Sequence, residues 1–225
     1  MIQYLKENER KVIINGLILS VLLLICWSVG TKLFFPGLSK NMLTMLSRLT
    51  FWLYFGLIYL YVARVEKRSL LLWSDKSYPV GYYILSVIVL LLVIMFGGGI
   101  IGVVLELLGM LKISKTIIWM QNLSTPIKIF GAITAGLLEE LIFRGYMMPR
   151  LELLLKNKYL PIIISTLIFG LAHIGYGTFV NVLIPMFIGL VFACHYYKYR
   201  NIKILIICHT LIDLNALLTP GLIKH

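Results

Sequence analysis

Residues 159–197 read YLPIIISTLIFGLAHIGYGTFVNVLIPMFIGLVFACHYY, a stretch without one Asp, Glu, Lys or Arg. A helix crosses the roughly 30 Å hydrocarbon core of a bilayer with about 20 apolar residues. The stretch is therefore too long for one span and suits two, with the turn at Gly175-Tyr-Gly-Thr178. Working outward, Ile202 to Leu218 makes a further span, and Ile127 to Tyr146, Pro79 to Leu105, Met42 to Ala63 and Val12 to Thr31 make four more. Gly97, Gly98 and Gly99 are expected to break or bend the third of these, since glycine weakens a helix interior. Residues 106–125 are mixed in character and read as an amphipathic helix lying at the interface. The expected fold class is thus all-α: a polytopic integral membrane helical bundle of about seven spans, or eight if residues 106–125 also cross. No repeat, low-complexity tract or second domain interrupts it, so residues 1–225 read as a single integral membrane domain.

Composition agrees. Hydrophobic residues make up 60% of the 225 and charged residues 13%, against roughly 45–50% and 25% in soluble domains. The net charge of +12, from 21 Lys and Arg against 9 Asp and Glu, is better explained by topology than by nucleic acid. With the N-terminus inside, 13 basic residues fall on the cytoplasmic side and 6 outside, while Arg48 and Arg144 fall within spans. That is the asymmetry expected of a multi-pass cell-membrane protein with a cytoplasmic N-terminus, facing an anionic inner leaflet. Arg48 sits near the start of its span, where a long side chain can snorkel to the interface. The basic stub Lys6, Arg10, Lys11 before the first span, without a small-x-small cleavage pattern, reads as a retained signal-anchor. Cys26, Cys194 and Cys208 have no metal-type spacing and read as small apolar residues.

Ionisable side chains at membrane depth are costly and mark sites by default. Here they are Glu139, Glu140 and Arg144 on the fourth span, His173 on the fifth, and His209 and Asp213 on the seventh. At about 1.5 Å of rise per residue, Glu139, His173, His209 and Asp213 lie roughly 18, 12, 20 and 14 Å from the outer surface. They share one layer. Glu140 and Arg144, four apart, form the favoured acid-before-base helix pair, while Glu139 points about 100° away and is left for chemistry. Phe169, one turn before His173, supplies an aromatic wall. His195 belongs to a Tyr-rich interface belt and His225 to a mobile terminus.

There is no H-E-x-x-H zinc helix and no G-x-S-x-G nucleophile elbow. A free Glu beside a His can act as general base on water, and a second His can stabilise an oxyanion. The same inventory also suits a proton relay in a transporter. Glu139, His173 and His209 could alternatively ligate zinc; without H-E-x-x-H, a metal-free mechanism with no cofactor is preferred.

Glu139-Glu140-Leu-Ile-Phe-Arg144, Phe169-Gly-Leu-Ala-His173 and His209-Thr-Leu-Ile-Asp213 resemble, in order, the E-E-x-x-x-R, F-x-x-x-H and H-x-x-x-N/D motifs of the CPBP family. These are the type II CAAX prenyl proteases and their bacteriocin-processing and self-immunity relatives. The resemblance covers about residues 125–220. It implies an intramembrane glutamic-type endopeptidase acting near the terminus of a membrane-associated peptide or protein. Glu139 and His173 would activate water, His209 and Asp213 would form the oxyanion site, and Glu140 and Arg144 would brace the helix. Asn is commoner than Asp at the last position, so Asp213 must be protonated or must orient His209. The resemblance also leaves room for an immunity or scaffold protein that acts by binding alone.

Overall fold

The computed structural model describes residues 6–34, 37–112 and 114–219, with the side chains of 28–34 left aside. His225, assigned to a mobile terminus from the sequence, lies outside the described residues. Within them every regular element is helical: α1 (Glu7–Phe34), α2 (Lys40–Tyr61), α3 (Val80–Leu107), α4 (Lys115–Gln121), α5 (Thr125–Glu140), α6 (Met148–Leu155), α7 (Leu160–Ala172), α8 (Val180–Tyr199) and α9 (Ile202–Leu218). Wider π turns extend α2 over Val62–Glu66 and join α5 to α6 over Leu141–Met147. The described residues therefore form seven helical rods and one short helix at the expected places. Four of the rods, beginning at Glu7, Lys40, Val80 and Val180, are long and apolar enough by themselves to cross a membrane.

The interfacial helix shrinks to the seven residues of α4. The glycine triplet leaves α3 unbroken. Gly97 is there for packing, because a Cβ at that position would collide with the Phe187 ring of α8.

Two apolar clusters organise the bundle. One joins α1, α2, the α5–α6 rod and Phe169 of α7, around Phe51, Ile58, Leu138 and Phe143. The other joins α3, α8 and α9, around Leu90, Phe192, Leu205 and Cys208. Outward faces are as apolar as the core: Leu53, Phe96 and Leu107 are 70%, 69% and 82% exposed. Such surfaces suit lipid and not water, and the chain is a membrane protein.

α5 packs along α9 and α2, and α7 along α8. The α5–α9 approach depends on Gly136: a Cβ there would stand 2.8 Å from the backbone N and 3.1 Å from the Cα of Thr210. Backbone cannot rotate aside as a side-chain tip can, so Gly136→Ala must part the helices. It is expected to cost about 1–3 kcal/mol, read as a lower melting temperature of the detergent-solubilised protein; a variant melting with the wild type would contradict the contact.

The start of α9 is fixed too. The Asn201 side chain accepts from Ile204 N at 3.1 Å, and Asp75 accepts from Ile202 N at 2.8 Å. These caps satisfy helix-end amides that have no intrahelical partner.

Candidate active site

Glu139 and Glu140 are the last two residues of α5 before the π turn. Consecutive helix positions diverge by about 100°, and the two carboxylates part accordingly. Glu140 is fully buried. Its Oε1 accepts from Arg144 Nη1 at 2.8 Å and from His209 Nδ1 at 2.8 Å. Arg144, also fully buried, donates from Nη2 to the Gly189 carbonyl at 3.1 Å and lies 4.4 Å over the Phe169 ring. The Glu140–Arg144 pair expected from spacing is present, and it has a third member that spacing could not show.

His209 is the hinge of the arrangement. A carboxylate accepts and does not donate, so Nδ1 carries the hydrogen and Nε2 faces the other way. Nε2 looks toward Glu139 Oε2 at 3.9 Å and Asp213 Oδ1 at 3.8 Å. Both distances exceed hydrogen-bond range. Glu140, and not Asp213, therefore orients the imidazole.

His173 caps α7. Its Nδ1 donates to the Phe169 carbonyl at 2.8 Å, which frees Nε2. Phe169 stands between the imidazoles, with ring centroids 5.0 Å from His173 and 6.0 Å from His209. Tyr176 stacks on His173 at 5.5 Å.

Glu139, Phe169, His173, His209 and Asp213 all line one cavity of about 220 Å³, enclosed by α2, α4, α5, α7, α8 and α9. Glu140 and Arg144 lie behind its wall. His195, on α8, is not part of it. Among the described residues no three His, Cys, Asp or Glu side chains are arranged to hold a metal ion. One nitrogen of each cavity histidine is already bound to a protein oxygen.

Arg48 was placed at the interface from its position in sequence. It lines this cavity instead, because α2 packs on α5 and turns that face inward. Tyr176 and Asn181 also line the cavity, and nothing in the sequence distinguished them. A second buried clasp lies outside the cavity: Glu66 and Arg150, the latter counted from the sequence among the cytoplasmic basic residues, are both fully buried at the side chain and pair at 2.6 Å.

Residues 121–215 match the family model for Type II CAAX prenyl endopeptidase Rce1-like proteins. Neither the curated proteins nor the solved structures gave a match to the chain. The matched segment runs from the end of α4 through most of α9 and contains every acid and histidine of the cavity wall. That segment is thus similar to the type II CAAX prenyl endopeptidases of the Rce1-like group, a likeness to a family of intramembrane proteases.

Proposed function

We propose that the chain is a glutamic-type intramembrane endopeptidase that hydrolyses a peptide bond near the terminus of a membrane-associated peptide or protein. The observation that carries this reading is one cavity, inside an apolar helical bundle, lined by Glu139, His173, His209 and Asp213. Glu139 serves as general base and removes a proton from water, with the free Nε2 of His173 holding that water. The water oxygen bonds to the carbonyl carbon, and the carbonyl electron pair moves onto oxygen. His209, with Nδ1–H committed to Glu140, donates to that oxyanion from Nε2 as an imidazolium, which balances the surrounding carboxylates. Asp213 assists as a neutral donor, since an ionised carboxylate there would repel the oxyanion. Collapse breaks the C–N bond, and the proton held by Glu139 goes to the leaving amine. The products are a carboxylic acid and an amine. No metal or cofactor enters these steps.

The excess of basic residues on one side supports a cell-membrane location with a cytoplasmic N-terminus. The test is a peptide-library cleavage assay on the full chain in detergent, read by mass spectrometry. Cleavage concentrated near one terminus and insensitive to chelator is expected. Zinc-dependent cleavage would overturn the metal-free mechanism. Partner protection without any cleavage would favour an immunity or scaffold protein, and proton-driven flux in liposomes a transporter.

A further inference from the structure

Arg48 Nε is buried with no hydrogen-bond partner, and among the described residues no carboxylate forms an ion pair with the guanidinium. Its described close contact is the Trp27 ring, 5.7 Å away, while Glu139 and Asp213 act on it only across the cavity, beyond ion-pair range. Trp27 is itself pinned, donating to the Ser47 carbonyl at 2.8 Å and stacking on Phe51 at 4.4 Å. A guanidinium left like this inside a membrane bundle is costly unless an anion comes to it.

Its position says which anion. Arg48, Met120 and Tyr176 line both the cavity of Glu139 and a second one of about 160 Å³ toward Trp27 and Trp119. Arg48 therefore stands at the junction. A Cβ on Gly131 would lie 3.7 Å from its Nε, and Gly131, Ala135 and Glu139 line the cavity along one stripe of α5. Eight residues of helix cover about 12 Å. An extended peptide covers that in three or four residues. Every peptide with a free C-terminus carries one anion whatever its sequence, the terminal carboxylate, and its planar geometry matches the guanidinium fork.

We propose that Arg48 binds the C-terminal carboxylate of the substrate and so fixes how far from that terminus the chain is cut. This rests on the protease reading for the cut, though not for the binding.

The test uses the full chain in detergent and two synthetic libraries of apolar decapeptides, identical except for a free-acid or amidated C-terminus. On a Glu139→Gln background, measured by fluorescence anisotropy, free acids should bind about tenfold or more tighter than amides. Adding Arg48→Gln should bring that ratio to about one, and Arg48→Lys should restore part of it. Equal binding of acids and amides before Arg48 is changed overturns the proposal. So does an Arg48→Gln variant that weakens both libraries by the same factor, which would mark a structural role. Loss of co-purified phospholipid in Arg48→Gln, with no acid preference, would assign Arg48 to a lipid phosphate instead. Acid-selective binding without cleavage by the wild type would leave Arg48 its role and sink the protease reading; Glu139-dependent cleavage without selectivity would do the reverse.

Discussion

Glu139→Gln is expected to lower kcat for peptide cleavage by about a hundredfold to ten-thousandfold, the usual contribution of a positioned general base. The substitution keeps shape and hydrogen-bonding reach while removing the basic oxygen. It leaves the Glu140–Arg144–His209 cluster intact, because the clasp is made by Oε1 of the neighbouring residue. Size-exclusion profile and melting temperature should therefore match the wild type, while single-turnover cleavage collapses. Undiminished cleavage would remove Glu139 from the chemistry. His173→Ala should give a similar loss, because it takes away the only cavity histidine nitrogen not facing a carboxylate or carbonyl.

Arg150→Met should have the largest effect on stability. Arg150 donates to Glu66 Oε2 from Nε at 2.8 Å and Nη2 at 2.6 Å, and to the carbonyls of Ser69, Leu70 and Tyr146 at 3.1, 3.0 and 3.2 Å. Glu66 accepts in addition from the Tyr146 hydroxyl at 2.9 Å. Removing the cation leaves a buried carboxylate with one neutral donor. Breaking such a pair from one side typically costs about 3–5 kcal/mol, whereas replacing both partners by apolar groups is often neutral. The double variant Glu66→Leu/Arg150→Met should therefore recover much of the stability that Arg150→Met alone loses, measured by thermal melts in detergent. A single variant no less stable than the double one would contradict the clasp. Because the pair ties the α5–α6 rod to the end of α2 and lies outside the cavity, peptide affinity of the folded fraction should change little.

The bundle was legible in sequence because its solvent is: long apolar runs, the Gly175–Thr178 turn and the basic loops each follow from transfer energies that act locally. Glu139, Glu140, Arg144, His173, His209 and Asp213 were legible for the same reason, as violations of that rule. What escaped depends on packing between distant segments. Glu66 and Arg150 are 84 positions apart, and nothing local to either one points to the other. Arg48 could be read as snorkelling or as inward-facing, and only the α2–α5 contact decides. That Glu140 holds His209 across 69 positions is likewise a fact of how α9 lies on Gly136, with no local trace.

α7 has 13 residues, about 20 Å of helix, and ends at His173 on the cavity wall. Hydrocarbon cannot satisfy the carbonyls of a helix end, and here the protein does so: Phe169 O accepts from His173 Nδ1, Gly170 O from His173 N and His173 O from Tyr176 N. Stopping α7 short leaves room at this depth for the cavity that Glu139, His173, His209 and Asp213 line, a place that suits water in a solvent that otherwise excludes it. Hydrolysis consumes one water per bond broken, and supply is a separate problem from activation when the surroundings are lipid. On the proposed reading the early stop addresses both: the residue that closes the helix is the one poised to hold the reactant, and the cavity opened beside it is the room in which the reactant can be kept.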